Sequence, residues 1–209
     1  DVHGSLTQIL REVAEWAGRE VLDIGCGTGF HLPMFAVEAD SVIGVEPHPP
    51  LVELARGRTQ DLPSVTVQRG SAQSVPLPDN SVDVAHARTA YFFGPGCEPG
   101  LAEASRVLRP GGVLAVLDLD ATRSTYGAWM RRDVPGYCPG AVEQFFQQHG
   151  FTSRGVDTVW QFENRDDLRA VLGIEFSPAV AARALAATRG LTVDVAYRVR
   201  WRRKVLTRA

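Results

Sequence analysis

The sequence predicts an α/β fold, a Rossmann-like doubly wound sheet of seven strands with helices on both faces and an antiparallel last strand. Short aliphatic runs alternate along the chain with helix-like stretches, a pattern typical of a mostly parallel sheet that is covered on both faces. The first aliphatic run, 21–24, leads directly into a glycine-rich loop. The last segment, 192–203, alternates apolar and polar residues, as expected of a strand with one buried face.

The individual elements follow from local patterns. Residues 5–17 place apolar side chains on one side of a helix that Gly18 ends, and the segment 109–112 predicts a turn. Further helices are predicted from about residue 31 and at 51–57, 100–108, 139–149, 165–172 and 178–188. Strands are predicted at 21–24, 41–46, 65–68, 82–86, 113–118, 153–162 and 192–203.

The composition is that of an ordinary globular protein. The 209 residues are 44% hydrophobic and 22% charged, which suits a single domain over 1–209 with a small helical insertion at 163–191, between the last two strands. A formal net charge of -2 argues against a nucleic-acid partner, and the aliphatic runs are too short to span a membrane. The chain starts without the basic and apolar regions of a signal peptide.

The cysteines indicate the compartment. Cys26, Cys97 and Cys138 lack the spacing of a metal site, so we expect no bound metal. Free thiols are the simplest interpretation of an odd number of cysteines, and they indicate a reducing, cytoplasmic location.

The loop 25–29 places three glycines between the first strand and the helix after it. Glycine allows sharp turns and close approach of a ligand, and a helix N-terminus offers unpaired N–H groups. Glu46 ends the next strand, where an acidic side chain can bind ribose hydroxyls. A turn without function and a solvated carboxylate are the simpler alternatives for each feature taken alone.

Two classes of ligand are compatible with this loop. A nicotinamide dinucleotide is typically bound by GxGxxG, whereas this loop is GxGxG. S-adenosyl-L-methionine has no phosphate but carries an ammonium group, which Asp23 could hold directly or through water. Asp23, on the strand just before the loop, therefore favours S-adenosyl-L-methionine.

Residues 21–29, Val-Leu-Asp-Ile-Gly-Cys-Gly-Thr-Gly, resemble motif I of class I S-adenosylmethionine-dependent methyltransferases, in the broad group related to the ubiquinone-biosynthesis methyltransferases. Similar segments follow in order at 45–47, 70–83 and 103–112, so the resemblance covers about residues 20–120. It implies the fold, the cofactor and S-adenosyl-L-homocysteine as product. The cofactor-binding residues that it implies are Asp23, Gly25, Cys26, Gly27, Gly29, Glu46, Pro47, Ser71, Ala72 and Ala87.

Ser71 departs from the family pattern, which usually has aspartate there to accept a hydrogen bond from the adenine amino group. A serine hydroxyl can accept the same hydrogen bond but carries no charge. We therefore expect a somewhat lower cofactor affinity, or a share of this role for the backbone of Ala72.

Methyl transfer needs alignment of the reactants, exclusion of water and, for some acceptors, a base. His86 has the intrinsic pKa of a general base, although the alternation from Asp83 favours a core position. Arg88 could anchor an acidic group of the substrate, or form an ion pair with Asp118 or Asp120.

Further candidates lie near the same edge of the sheet. Tyr91 and Phe92 are predicted to line the pocket, and core packing is the alternative for Phe93. Asp118 and Asp120 end the fifth strand, and either could be the base. The catalytic candidates are thus His86, Arg88, Tyr91 and Asp118.

Two patterns lie outside the resemblance. Tyr126 and Trp129 are three residues apart on a possible helix and could form a lid or pack as ordinary core residues. Arg198, Arg200 and Arg202 share one face of the last strand and could contact an anionic partner. A solvated strand end near acidic neighbours is the favoured interpretation, because the total charge is nearly neutral.

These observations predict an enzyme that methylates oxygen, nitrogen or carbon of a small molecule. We expect a monomer or homodimer, with no nucleic acid and no membrane as partner. A nicotinamide-dependent oxidoreductase and a non-catalytic S-adenosylmethionine-binding protein remain as alternatives.

Overall fold

The computed structural model describes residues 2–91 and 94–205, which form one mixed sheet with helices on both of its faces. The helices are α1 (Ser5–Val13), α2 (Leu32–Ala36), α3 (Pro49–Thr59), α4 (Glu98–Val107), α5 (Ser124–Asp133), α6 (Pro139–Gln148), α7 (Arg165–Glu175) and α8 (Pro178–Ala187). The strands are β1 (Glu20–Ile24), β2 (Ser41–Glu46), β3 (Val65–Arg69), β4 (Val82–Arg88), β5 (Leu108–Leu119), β6 (Thr152–Gln161) and β7 (Thr192–Arg203).

The strand order is β3-β2-β1-β4-β5-β7-β6. Strands β1 to β5 pair in parallel, whereas β7 runs antiparallel to both β5 and β6. The predicted fold class is therefore confirmed. The chain winds outward from β1 in one direction and from β4 in the other, so a crevice opens where the carboxyl ends of β1 and β4 meet.

Two apolar clusters cover the two faces of the sheet. One contains side chains of α1, α2, α3, α5 and α7, with Trp16 and Phe35 fully buried. The other joins α4 and α6 to the opposite face through residues such as Leu22 and Phe146. Helices thus pack on both faces of the sheet and fix the positions of the carboxyl ends of β1, β2 and β4.

The first helix is shorter than predicted. It ends at Val13 instead of residue 17, although Trp16 is buried as its spacing suggested. The Glu15 carboxylate accepts hydrogen bonds from the backbone N–H groups of Trp16 and Ala17. These hydrogen bonds give the backbone an alternative to the helical pattern and hold Trp16 in a turn.

The predicted turn at 109–112 is instead the first part of β5. Gly111 has a φ of 82°, and the pairing with β4 shifts register between Val82 and Val84. The pairing of β5 with β7 continues to Lys204, directly after β7, because Gly111 N–H donates to Lys204 O and Lys204 N–H donates to Gly112 O. The glycines therefore allow an irregular strand and not a reversal.

The helices α7 and α8 lie between β6 and β7 in the chain, inside the range 163–191. None of the helices within 2–91 and 94–205 is both long and apolar enough to cross a membrane.

Candidate active site

The glycine loop connects β1 to α2 and is tied to the neighbouring strand. The N–H groups of Gly25 and Cys26 both donate to the carbonyl of Val45, at 2.8 and 3.1 Å. Gly29 has a φ of 72°, and a Cβ atom there would lie 3.1 Å from the Cα of Ala55 in α3. Only glycine therefore permits this backbone conformation and the close approach of α3.

Glu46 is held in place by the loop that it faces. Its carboxylate is 6% exposed and accepts one hydrogen bond from the N–H of Gly27 and one from the N–H of His48, both at 3.0 Å. Because a carboxylate offers about four lone-pair sites, Glu46 keeps capacity for further donors. The position of the Glu46 carboxylate is therefore fixed, while some of its lone pairs remain free to accept hydrogen bonds from a ligand.

A cavity of about 320 Å³ opens beside this carboxylate, at the crevice between β1 and β4. We call it the cofactor cavity. It is lined by Gly25, Glu46, Pro47, Ser71, Ala72, Gln73, Arg88, Thr89 and Ala90. The structure therefore brings together five of the predicted cofactor residues, and Arg88 with them.

The other predicted cofactor residues lie in the loop or on β1 and β4 and do not line this cavity. Ala87 is fully buried in the cluster on the α4 side of the sheet. Cys26 packs beneath the loop, where burial, with the charges of Asp23 and Glu46, raises the pKa of its thiol to about 12. Gly27 contributes its N–H to Glu46, and Gly29 allows the approach of α3.

Three lining residues were missed from the sequence. Gln73 lies within the segment that resembles the family, directly after Ser71 and Ala72. Thr89 and Ala90 follow β4, and their position at the carboxyl end of a central strand is the signal that could have found them.

Asp23 and His86 form a buried pair on adjacent strands. The Asp23 carboxylate oxygen lies 2.6 Å from His86 Nδ1, and the two residues are opposite each other in the register of β1 and β4. The His86 ring is 1% exposed and packs against Phe35 at 5.1 Å between ring centroids. This placement makes His86 a core residue that is not open to an acceptor, which corrects its prediction as a general base. One oxygen of the Asp23 carboxylate is engaged with His86, and the role of Asp23 toward an ammonium group stays a prediction.

Arg88 is half-buried and has no carboxylate partner among the residues described. Its guanidinium lies 4.8 Å from the ring centroid of Tyr197. The predicted ion pairs with Asp118 or Asp120 are wrong, because β7 supplies the partners: Arg200 lies 2.8 Å from Asp118 and Arg198 lies 2.7 Å from Asp120. Arg88 therefore keeps its charge available at the wall of the cofactor cavity.

The arginine face of β7 is covered in part. Arg200 is 3% exposed, contacts both Asp118 and Glu143, and lies over the ring of Phe146 at 4.6 Å. Arg202 lies over the ring of Phe151 at 5.0 Å, and Arg198 and Arg202 are both half-buried. The prediction of acidic neighbours was correct, but α6 packs on this face, buries Arg200 and limits the solvation of the other two side chains.

Asp118 and Tyr91 are also internal. Asp118 is fully buried, and burial raises its pKa to about 6 even though Arg200 is adjacent. The Tyr91 hydroxyl donates to the carbonyl of Gly100 at 3.2 Å, and burial raises the pKa of the phenol. Neither side chain lies free at the crevice, so the structure does not support either as a catalytic group. Phe92 and Phe93 lie outside the described residues.

A second cavity, of about 180 Å³, shares the lining residue Thr89 with the cofactor cavity. We call it the acceptor cavity. Its lining residues are Thr89, Leu119, Tyr126, Met130, Asp133, Val134, Glu175 and Phe176. Tyr126 is 3% exposed and forms part of the wall instead of a lid, and Trp129 packs behind it against Phe176 at 6.1 Å between ring centroids.

The polar groups and the space in the cofactor cavity fit the nucleoside part of S-adenosyl-L-methionine. Glu46 has unused acceptor capacity for the two ribose hydroxyls, and the short side chains of Ser71 and Ala72 leave room for a flat base beside a hydroxyl acceptor. Among the described residues no group of three or more His, Cys, Asp or Glu side chains is arranged to hold a metal ion.

Comparison with known proteins agrees with this geometry. Residues 22–116 match the family described as a methyltransferase domain. An uncharacterized methyltransferase of Mycobacterium tuberculosis is 34% identical over 126 residues, which are 57% of this chain and 49% of the relative. A probable S-adenosylmethionine-dependent methyltransferase of Mycolicibacterium smegmatis is 38% identical over 100 residues, 48% of this chain and 38% of the relative. This chain thus spans less than half the length of either curated relative.

The fold has solved counterparts. The crystal structure of the YcgJ protein from Bacillus subtilis superposes with a TM-score of 0.70 and covers 98% of this chain and 100% of that one, at 19% sequence identity. At this identity the likeness concerns the fold, and it extends beyond the matched family segment to α5–α8, β6 and β7.

Proposed function

We propose that the chain is a class I S-adenosylmethionine-dependent methyltransferase and that it transfers a methyl group from S-adenosyl-L-methionine to oxygen, nitrogen or carbon of a small molecule. One observation carries the proposal: Thr89 lines both the cofactor cavity and the acceptor cavity. Two ligands held on either side of one residue would be neighbours, and holding the reactants near each other is the main requirement of a direct group transfer.

When bound, S-adenosyl-L-methionine supplies a methyl group on a positively charged sulfur. The chain's own residues orient it. Glu46, fixed by the N–H of Gly27, accepts hydrogen bonds from the ribose hydroxyls. The hydroxyl of Ser71 accepts a hydrogen bond from the adenine amino group.

The boundary between the cavities is set by the backbone after β4. Thr89 has a φ of 56°, which is unusual for a residue other than glycine, and its N–H donates to the carbonyl of Leu117 at 2.9 Å. The mainly apolar walls of the acceptor cavity confine the access of water to its rim. With His86, Tyr91 and Asp118 in internal contacts, we infer that catalysis depends on alignment and not on a dedicated base.

Arg88 is the one candidate from the sequence that lines the cofactor cavity with an unpaired charge in the part of the chain described. We assign it the role of binding an anionic group at this boundary, such as the carboxylate of the cofactor. Its stacking on Tyr197 holds the guanidinium in place at a small cost in conformational freedom.

We further propose that the protein acts in the cytoplasm as a monomer or homodimer, with neither nucleic acid nor membrane as partner. The three cysteines are unpaired, as in a reducing compartment. Arg198 and Arg200 of β7, which could have formed part of a basic surface, are paired with Asp118, Asp120 and Glu143.

The proposal is tested by incubating the purified protein with S-adenosyl-L-methionine and a panel of small amines, alcohols, phenols and carboxylic acids. Mass spectrometry would measure S-adenosyl-L-homocysteine and the acceptors that gain one CH₂ unit. We expect both products with at least one acceptor, above a control without acceptor. Tight cofactor binding with no turnover across the panel would instead indicate a cofactor-binding protein without catalysis.

A further inference from the structure

We infer that the acceptor is a small apolar molecule carrying an amine, whose apolar body occupies the acceptor cavity and whose ammonium group lies against Glu175 and Asp133. This inference rests on the proposed methyl transfer and adds the chemical class of the acceptor. It follows from the position of the cavity, the nature of its walls and the charges at its rim.

The position identifies the cavity as the place of the acceptor. Thr89 lines both cavities, so a molecule in the acceptor cavity contacts a residue that also borders the cofactor cavity. Its other walls come from the end of β5, from α5 and from the end of α7. The cavity therefore lies where the carboxyl edge of the sheet meets these two helices.

The walls favour an apolar body. Tyr126 and Phe176 pack against each other with ring centroids 4.9 Å apart and planes tilted by 48°, and Leu119 and Met130 complete this apolar surface. The volume of about 180 Å³ is somewhat larger than an apolar protein cavity known to hold benzene, about 150 Å³. Aromatic faces also attract a cation placed near them.

The charged side chains at the rim of the acceptor cavity indicate which polar group the acceptor carries. Asp133 and Glu175 are the charged side chains among the lining residues, and both are negative. Glu175 accepts a hydrogen bond from the Tyr126 hydroxyl at 2.5 Å, and Asp133 accepts one from the N–H of Ser177 at 2.9 Å. Neither carboxylate has an ion-pair partner within 2–91 and 94–205, unlike Asp118, Asp120 and Glu143.

These hydrogen bonds orient the two carboxylates without neutralising them. Burial and the Glu175 charge both raise the pKa of Tyr126, so its hydroxyl stays protonated as a donor. An ammonium group would supply the missing positive charge, whereas a carboxylate or phosphate on the acceptor would be repelled.

The transfer balances for a primary or secondary amine. The ammonium first releases one proton to water at the rim, where Glu175 is exposed. The lone pair of the neutral nitrogen then forms the new N–C bond as the S–C bond breaks, and the electron pair of the S–C bond remains on sulfur. The methylated ammonium and a neutral thioether leave, with one proton released in each turnover.

Calorimetry on the protein saturated with S-adenosyl-L-homocysteine tests this inference with three probes of similar size: phenethylamine, 2-phenylethanol and phenylacetate. We expect the amine to bind at least about tenfold more tightly than the alcohol, and the carboxylate to bind most weakly, because a charge-assisted contact exceeds a neutral one by roughly this factor. Glu175→Gln should lower amine affinity about tenfold and leave the alcohol affinity within about twofold. Glu163→Gln, an equal change of charge at an exposed residue outside the cavity, is the matched control and should alter neither.

Phenylacetate binding as tightly as phenethylamine, equal affinities for the amine and the alcohol, or no binding of any probe would overturn the inference. The order of the three probe affinities in the unchanged protein tests the inference even where Glu175→Gln fails to fold. If the unchanged protein did not bind S-adenosyl-L-homocysteine, this result would instead count against the proposed function. Failure of the proposed function and failure of the inference about the acceptor are therefore distinguishable.

Discussion

Three buried carboxylates at the centre of the sheet have different partners, and the partners determine what each can do. Asp23 faces a histidine, Asp118 faces an arginine, and Glu46 accepts only backbone N–H groups. Asp118 and one oxygen of Asp23 are therefore engaged in interactions inside the protein. Glu46 lines the cofactor cavity with unused acceptor capacity, which singles it out as the acid that binds a ligand.

Replacing Glu46 should weaken cofactor binding specifically. Glu46→Gln removes a charged acceptor for the ribose hydroxyls, and we expect S-adenosyl-L-homocysteine to bind more weakly by about 2 kcal/mol, roughly 30-fold. Calorimetry measures the dissociation constant. Glu53→Gln, which alters an exposed acid on α3, is the control and should leave it unchanged. Equal dissociation constants for the Glu46 variant and the unchanged protein would contradict the assignment of Glu46 to the ribose.

Asp118 should make stability depend on pH. Its pKa is raised from 3.8 to about 6 in the folded protein, so the folded state binds more protons than the unfolded state between these values. The contribution of Asp118 to stability is therefore greatest at low pH and declines as pH rises toward the folded pKa. Between pH 4.5 and pH 7 the loss amounts to about 2 kcal/mol.

Urea unfolding of the unchanged protein and of Asp118→Asn, at both pH values, measures this contribution. The variant cannot titrate at this position, so its free energy of unfolding serves as the reference for all other groups. We expect the unchanged protein to lose about 2 kcal/mol relative to the variant as the pH rises. A difference that is the same at both pH values would show that Asp118 is not perturbed.

At the scale of elements, the sequence predicts the strands best. The bounds of β7 are those predicted, because strict alternation of apolar and polar residues is a direct signature of a strand with one buried face. What covers its arginine face could not be predicted. Glu143 on α6 supplies a shared acidic partner for Arg198 and Arg200, and this contact joins residues far apart in the chain.

Helix α3 offers a test of local backbone effects. Gly57 lies within α3, is exposed and has open space where a Cβ would be. Gly57→Ala should therefore raise the free energy of unfolding by about 0.5–1 kcal/mol, since alanine favours the helix. Urea unfolding measures the change.

Gly29 is the comparison for Gly57, and here alanine is expected to change the free energy of unfolding in the opposite direction, because α3 packs directly on Gly29. Its φ of 72° and the 3.1 Å approach of the Ala55 Cα leave no room for a side chain. Gly29→Ala should lower the free energy of unfolding by about 2 kcal/mol or more. If both alanine variants change stability in the same direction, the packing of α3 on the glycine loop is not as described.

At the scale of the whole molecule, the reversal of strand order between β1 and β4 places the crevice where the cofactor cavity lies. The sequence predicts this part because the loop 25–29, Glu46 and the segment 71–72 each follow a strand in order. The acceptor cavity could not be predicted in the same way. Its walls come from Thr89, 119–134 and 175–176, three stretches that only tertiary packing brings together.

The central claim is that the crevice binds S-adenosyl-L-methionine and not a dinucleotide. Isothermal titration calorimetry of the unchanged protein with S-adenosyl-L-homocysteine and, separately, with NAD tests it most directly. We predict saturable binding of S-adenosyl-L-homocysteine with one molecule per chain, and no heat of binding with NAD. Saturable binding of NAD together with no binding of S-adenosyl-L-homocysteine would contradict the account.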